Sequence, residues 1–173
     1  PAGAEVVQAK SSADMHKALI DLMGGRPDGV IMAAAVADFR PAHQSAAKIK
    51  KVHGVQNLEL EPTADILTDI CRQRVLGTMP IIIGFAAETS GIREDLIALG
   101  SGKLAAKGAD AFVVNDVSNG EIFGSENTEV LFIEAGHAVA PIMGSKLNVG
   151  HAVVHRLAQL LDQVDCSARK SEI

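Results

Sequence analysis

The sequence predicts an α/β fold in which a mostly parallel β-sheet lies between two layers of helices. Three apolar runs have the length of buried strands, and stretches with helical periodicity separate them along the chain. They lie at about 30–35, 80–85 and 111–115. The chain has five Phe but no Trp or Tyr, so its core must consist of Val, Ile, Leu and Ala, which suits a parallel sheet covered by helices. We therefore expect a three-layer, Rossmann-like architecture.

Length and composition limit the class of protein. The 173 residues are 47% hydrophobic and 21% charged, and we expect one domain over residues 1–165 with a disordered tail over 166–173. A net charge of −5 argues against a nucleic-acid partner. Cys71 and Cys166 are too few for a disulfide framework or a zinc site, and no run of about 18 apolar residues could cross a membrane. These features predict a soluble, cytoplasmic protein.

Local signals define the amino-terminal elements. Residues 5–9 have the apolar pattern of a short strand. Ser11 or Ser12 can cap a helix from about Ala13 to Met23, and the Gly-Gly-Arg-Pro segment at 24–27 ends that helix. The first buried strand then completes a β-α-β unit.

The segment 41–61 is too polar for the core and is predicted to project as a β-hairpin arm. Two alternating runs, 48–52 and 58–61, flank a turn that contains Gly54. Lysines on such an arm most often protect a sheet edge in solvent, so a functional role for Lys48 needs support beyond the local sequence.

The second half of the chain supplies more helices and an antiparallel hairpin near the carboxyl terminus. A helix is expected to follow Pro62 and to end near Val75. Helical sequence from about Gly91 to Lys107 is expected to be broken in two at Gly100 and Gly102. The remaining expected elements are two hairpin strands and a final amphipathic helix, at Glu129–Glu134, His137–Ile142 and Asn148–Val164.

Two histidines on the final helix have a spacing that occurs in metal sites. His151 and His155 share one face at the spacing of the metalloprotease motif, but the glutamate of that motif is missing. We expect no metal site there.

The stretch Gly29–Arg40 points most directly to chemistry. A buried strand runs into small residues, which let a backbone approach a ligand, and then into Asp38. The local sequence alone is equally consistent with a structural role, in which a strand is followed by the start of a helix of small residues. Because parallel strands end at one edge of a sheet, we expect several polar and small residues to meet there. They are Ala34, Ala35, Asp38, Phe85, Glu88, Asn115 and Asp116.

Basic residues are concentrated on the segments that lead from this edge. Six of the 16 lie there, namely Arg40, Lys48, Lys50, Lys51, Lys103 and Lys107. Lys103 and Lys107 share a helix face, and such a pair is by default solvated. In an acidic protein, however, cations beside a metal-binding acid favour a polyphosphate with a divalent ion as ligand. The residues therefore predict a nucleotide site without identifying the nucleotide.

Six ordered motifs resemble those of one family. They are AAAVADFR, KIKK about ten residues later, TADIL, GFAAET, KLAAKG and FVVND. In this order they are very similar to phosphopantothenoylcysteine synthetase, the carboxyl-terminal half of the bacterial bifunctional coenzyme A enzyme, over roughly Val6 to Leu161. The resemblance implies ligation of 4'-phosphopantothenate to cysteine through an acyl-cytidylate, with CTP and Mg²⁺. It also implies a homodimer through the sheet edge and the arm, and leaves open a native fusion to a flavin-dependent decarboxylase domain.

The resemblance also implies roles for individual residues. Asp38 would bind the nucleotide and its metal, and Lys48 would be the catalytic lysine of the arm and contact the nucleotide. Lys103 and Lys107 would hold phosphates. The remaining residues of the implied nucleotide site are Ala34, Ala35, Ala64, Asp65, Ile66, Leu67 and Phe85.

The sequence departs from the family pattern in two places. Thr63 and Ala64 stand where the family usually has Asn-Pro before the Asp-Ile pair. The family's amino-terminal glycine-rich segment is not in the sequence, so we expect an amino-terminally truncated synthetase whose activity is open. One alternative is a non-catalytic nucleotide-binding or dimerisation fragment, which would bind CTP without releasing pyrophosphate. The other is a dinucleotide oxidoreductase, suggested by fold class alone, but no glycine fingerprint follows a strand.

Overall fold

The helices and strands of the computed structural model alternate along the chain. The structure describes residues 3–43, 45, 47–48, 57–74, 79–118 and 125–170, except the side chains of 165–170. The helices are α1 (Ser12–Met23), α2 (Ile66–Arg72), α3 (Arg93–Lys107) and α4 (Lys146–Lys170). The strands are β1 (Gly29–Met32), β2 (Phe39–Pro41), β3 (Leu60–Pro62), β4 (Ile81–Glu88), β5 (Ala111–Asp116), β6 (Asn127–Glu134) and β7 (Ala140–Ser145).

Five strands form one sheet in the order β1-β4-β5-β6-β7. β1, β4 and β5 are parallel, with Met32 beside Gly84 and Ala86 beside Val114. β6 and β7 form an antiparallel hairpin on the free side of β5. Because β7 reverses the direction of β6, every strand except β6 points the same way. The predicted α/β class, the mostly parallel sheet and the carboxyl-terminal hairpin are confirmed.

Helices cover both faces of this sheet. Side chains alternate along each strand, so Ile82 and Phe112 face α1, α2 and α3 in one apolar cluster. Ile83 and Val113 face α4 in a second cluster on the opposite side. This arrangement is the expected three-layer architecture.

The start of α1 agrees with the sequence prediction. The Ser11 Oγ accepts a hydrogen bond from the Asp14 N–H at 3.1 Å, and the Asp14 carboxylate accepts one from the Ser11 N–H at 3.0 Å. This reciprocal capping box satisfies two of the backbone donors that a helix start leaves unpaired. Ser11, rather than Ser12, is therefore the cap.

The expected break in the third helix is wrong. α3 runs without interruption from Arg93 to Lys107, and Gly100 is buried within it. A Cβ at Gly100 would lie 2.5 Å from side-chain atoms of both Val114 and Ile133. The absence of a side chain at Gly100 thus lets the helix lie close to the sheet, and it does not end the helix.

At the base of the arm lies a strand pair that was not predicted from the sequence. β2 and β3 form a two-stranded antiparallel ladder in which Arg40 lies opposite Glu61. The Arg40 Nε lies 2.7 Å from a Glu61 carboxylate oxygen, a favourable cross-strand pair. Except for Lys48, the predicted partner run 48–52 lies outside the described residues, so its pairing with 58–61 stays a prediction. Lys48 is exposed and outside regular structure, and residues 49–56 lie outside the described part of the chain.

Residues 5–9 do not form the predicted strand. A strand requires a neighbour for its backbone hydrogen bonds, and among the described residues β1 pairs only with β4. Val6 and Val7 are 63% and 52% exposed, so their apolar pattern does not reflect burial in the structure.

Two helix ends also differ from expectation. α2 ends at Arg72 rather than near Val75. α4 continues from Lys146 to Lys170, so the expected disordered tail is wrong for the backbone of residues 166–170. Within the described residues, none of the helices has the length and apolar content needed to cross a membrane.

Candidate functional site

A cavity of about 220 Å³ opens where β1 ends and β4 approaches its carboxyl end. The loop after β1, the start of α2 and one face of α3 complete its wall. Its lining residues are Met32, Ala34, Val36, Ala37, Asp38, Thr63, Ala64, Asp65, Ile66, Leu67, Phe85, Lys103, Lys107 and Phe112. All of the predicted nucleotide residues except Ala35 and Lys48 are therefore brought to one place.

The cavity floor depends on Gly84 in β4. A Cβ at this position would come within 2.7 Å of the Phe112 ring and 2.9 Å of a Leu67 methyl group. Gly84 thus allows β4, β5 and α2 to pack closely beneath the cavity. The floor is apolar, which suits a planar or aliphatic part of a ligand.

Asp38 lines the cavity, and among the described residues its carboxylate has no partner. Asp38 is exposed, and its side chain has neither a hydrogen bond nor an ion pair within the described part of the chain. Magnesium typically keeps several waters and binds one or two protein carboxylates together with substrate phosphates. One free carboxylate at a cavity rim fits that donor set. Among the described residues, no group of three or more His, Cys, Asp or Glu could hold a metal without such a substrate.

Asp65 closes the start of α2 and also holds a lysine. Its side chain accepts a hydrogen bond from the Thr68 N–H at 3.1 Å, which caps the helix, and forms a short ion pair with Lys107. Burial would raise the pKa of Asp65, but the hydrogen bonds from Lys107 and Thr68 and the Lys107 charge outweigh it. The pKa of Asp65 therefore lies below its ordinary value, and the carboxylate stays charged.

Lys103 is held in the same manner from the sheet. Its Nζ lies 2.5 Å from a carboxylate oxygen of Glu88, the last residue of β4. The Glu88 side chain is 15% exposed, whereas Lys103 is 43% exposed. The two lysines are one helical turn apart and reach into the cavity from one face of α3. An incoming phosphate would meet two pre-positioned cations, each with an acid as competitor.

Other predicted edge residues lie elsewhere. Asp116 lines a second cavity of about 440 Å³ beside Arg93, and the Ser118 N–H lowers the pKa of Asp116. Asn115 faces the α4 side, because adjacent residues of a strand alternate between faces. Ala35 and Lys48 are exposed and line neither cavity. The single expected edge cluster is therefore divided, with Asp116 at the second cavity and Asn115 on the opposite face of β5.

Sequence reasoning missed several cavity residues. Val36 and Ala37 belong to the small-residue stretch that drew attention to the site, but neither was singled out. Thr63 was noted as part of the TADIL motif and as a departure from the family's usual Asn-Pro, but its hydroxyl was not considered as a backbone anchor. Met32 and Phe112 carry no signal beyond their apolar character.

Comparison with protein families gives a match over nearly the whole chain. The family model described as the DNA/pantothenate metabolism flavoprotein C-terminal domain matches residues 1–161.

Curated relatives agree with this match. The coenzyme A biosynthesis bifunctional protein CoaBC of Mycobacterium tuberculosis is 37% identical over 166 residues, which is 93% of this chain and 40% of that protein. The protein of the same name from Bacillus subtilis is 39% identical over 163 residues, covering 92% of this chain and 38% of that protein. The chain thus spans about two fifths of the length of these relatives.

Solved structures show the same fold. A crystal structure of the C-terminal domain of the bifunctional protein CoaBC superposes with a TM-score of 0.72 at 27% identity. The match covers 94% of this chain and 69% of that one. The DNA/pantothenate metabolism flavoprotein from Streptococcus pneumoniae superposes with a TM-score of 0.74 over 90% of this chain and 73% of that one, and at 16% identity it supports the fold alone.

Proposed function

The chain belongs to the DNA/pantothenate metabolism flavoprotein C-terminal domain family, and we propose that it carries out the CTP-dependent ligation of 4'-phosphopantothenate to cysteine. The observation that supports this proposal is the convergence of an uncommitted acid, two held lysines and a helix start around one cavity. These are the groups that a reaction of a metal-bound nucleotide requires. The relatives named for coenzyme A biosynthesis support the same pathway.

The proposed reaction has two steps. A carboxylate oxygen of 4'-phosphopantothenate attacks the α-phosphorus of CTP, the bond to the β-phosphate oxygen breaks, and pyrophosphate leaves. The acyl-cytidylate then has a good leaving group. The cysteine amine attacks the acyl carbon, an amide bond forms, CMP leaves, and the amine loses a proton to solvent or a base.

Negative charge builds up on the pyrophosphate as the first step proceeds. Lys103 and Lys107 are suited to contact these oxygens, because both ammonium groups line the cavity and are held in position by Glu88 and Asp65. Asp38 would hold Mg²⁺ together with phosphate oxygens, and the ion, when bound, would offset charge on the leaving group.

The base and ribose would occupy the apolar part of the cavity. Ala34 and Ala64 leave room for close approach of the ligand to the backbone, and Phe85, Ile66 and Leu67 supply apolar surface. Ala35 is exposed beside this wall, and its nucleotide contact remains part of the proposal.

The arm would act after the ligand has bound. Lys48 is exposed in the segment between β2 and β3, outside the cavity lining. We propose that the arm brings Lys48 to the nucleotide as the catalytic lysine and excludes water. A homodimer through the sheet edge and arm, and fusion to a flavin-dependent decarboxylase domain, belong to the same proposal.

Pyrophosphate release tests this function. The chain is incubated with CTP, Mg²⁺ and 4'-phosphopantothenate, with and without cysteine. Pyrophosphate should appear in both reactions, and CMP should accumulate when cysteine is added. If CTP binds in a saturable manner but no pyrophosphate is released, the ligase proposal fails for this chain, and a non-catalytic nucleotide-binding module becomes the better description.

A further inference from the structure

We propose that Thr63 is a positioning residue that sets the direction of the Asp38 carboxylate toward the cavity. Thr63 directly follows β3, on the return side of the arm, and lines the cavity with Asp38. The proposal rests on the proposed function in one respect, namely that Asp38 holds the metal of the nucleotide.

Thr63 holds two successive carbonyl groups of the Asp38 loop. Its Oγ1 donates a hydrogen bond to the Ala37 carbonyl oxygen at 2.5 Å. Its N–H donates to the Asp38 carbonyl oxygen at 2.8 Å. These carbonyls belong to the two peptide units on either side of the Asp38 Cα. Because the positions of both peptide units fix the Cα–Cβ direction, Thr63 restrains the direction in which the Asp38 side chain leaves the backbone.

The hydroxyl group makes a contact that the rest of the described chain does not duplicate. Residues 33–38 lie between β1 and β2 without regular secondary structure, and the ladder begins only at Phe39 opposite Pro62. Among the described residues, the structure gives the Ala37 carbonyl no donor other than the Thr63 hydroxyl. Any residue except proline at position 63 could donate its N–H to the Asp38 carbonyl. The hydrogen bond to the Ala37 carbonyl, however, requires a side-chain donor at this position.

This dependence separates Thr63 from a residue that only fills space. Valine has nearly the same shape as threonine but cannot donate to the Ala37 carbonyl. Serine keeps the donor and loses only a methyl group. Thr63→Val and Thr63→Ser therefore form a matched pair that tests the hydrogen bond.

The first experiment measures the Mg²⁺ concentration at which CTP binding is half maximal, by calorimetry. Thr63→Val should raise this concentration about two- to tenfold, the range for loss of one neutral hydrogen bond. Thr63→Ser should stay within about twofold of the unmodified chain. In the Asp38→Asn background, Thr63→Val should add no further change. An unchanged Mg²⁺ requirement in Thr63→Val, or the same shift without the Asp38 carboxylate, would overturn the proposal.

A second readout does not involve the nucleotide. The N–H at position 63 donates to the Asp38 carbonyl, so its hydrogen exchange reports how firmly the loop is held. Thr63→Val should speed exchange at position 63, corrected for the intrinsic rate of the new residue, about two- to tenfold, and Thr63→Ser should not. If the unmodified chain binds no CTP, the proposed function fails, while equal exchange rates in the two variants would refute the role of Thr63 separately.

Discussion

The Lys103 ammonium group lies 2.5 Å from the Glu88 carboxylate, and this contact joins α3 to the last residue of β4. One helical turn later, Lys107 forms a short ion pair with Asp65 at the start of α2. Each lysine of the cavity is thus held by an acid from a different element. This arrangement orients the cations in advance, but in the proposed function a phosphate would have to compete with a carboxylate for each of them.

Replacement of Lys103 should weaken nucleotide binding. Lys103→Gln removes a charge-assisted contact to phosphate, and the affinity for CTP with Mg²⁺ should fall at least about tenfold. Calorimetry with CTP measures the loss. Lys17→Gln is a matched control, because Lys17 also pairs with a carboxylate, Asp21 at 2.7 Å, but lines no part of the cavity. Equal affinity in the two variants would show that Lys103 does not contact the nucleotide.

Two glycines of α3 should respond in opposite directions to alanine. Gly100→Ala should destabilise the fold by about 1–3 kcal/mol, because its Cβ would overlap Val114 and Ile133 in a packed core. Gly102→Ala meets no atom within 4 Å and should stabilise the fold by about 0.5–1 kcal/mol through helix propensity. Urea unfolding of both variants tests the pair. Stabilisation by Gly100→Ala would mean that α3 lies farther from the sheet.

The fold class followed from sequence because its signals are local and repeated. A central strand such as β4 is covered by helices on both faces, so consecutive residues such as 81–83 are apolar, and this run is visible in the sequence. The role of Gly100 could not be foreseen, since a glycine that breaks a helix and one that allows close packing look the same in sequence. The base of the arm was missed for a similar reason. The choice of β2 as partner of β3 depends on tertiary position, which alternation within 48–61 does not reveal.

The Asp65 contribution to stability should depend on pH. A lowered pKa in the folded state means that the charged carboxylate stabilises the fold above its ordinary pKa of 3.8. This stabilisation is lost as pH falls through the lower folded-state pKa. Asp65→Asn should therefore lower the free energy of unfolding by less than about 1 kcal/mol at neutral pH, because the pair is partly exposed. The difference from the unmodified chain should shrink as pH falls below 3.8 and vanish once the pH is below the lower folded-state pKa.

Lys107→Gln supplies the control for that measurement. In the Lys107→Gln background, Asp65→Asn should have a smaller effect on the free energy of unfolding at neutral pH, because the positive charge that favours the carboxylate is gone. Thermal unfolding of the four combinations at several pH values gives the comparison. A pH-independent effect of Asp65→Asn would contradict the assigned ion pair.

Lys48→Gln should separate turnover from binding. Lys48 lies outside the cavity lining, so its loss should reduce CTP affinity less than threefold, about 0.6 kcal/mol or below. Turnover should fall by at least about a hundredfold if the arm supplies this charge in the reaction. Steady-state kinetics and calorimetry on the same preparation test the contrast, with Lys17→Gln as reference. Equal losses of binding and turnover would rule out the assignment of Lys48 to the catalytic step.

The candidate site was only partly accessible from sequence. Motif resemblance predicted Asp38, Lys103 and Lys107 as site residues, and the structure adds that both lysines form ion pairs with acids. Those partners come from β4 and α2, and no pattern along the chain links them to α3. The Thr63 contact to Ala37 spans 26 positions in the sequence and likewise arises only from the path of the arm.

A crystal structure of the chain grown with CTP and Mg²⁺ tests the central claim most directly. The account predicts a triphosphate within hydrogen-bonding distance of Lys103 and Lys107, a metal ion on Asp38, and the nucleoside against Phe85 and Leu67. A nucleotide bound instead in the second cavity, beside Arg93 and Asp116, would contradict the account, as would an empty first cavity at saturating CTP.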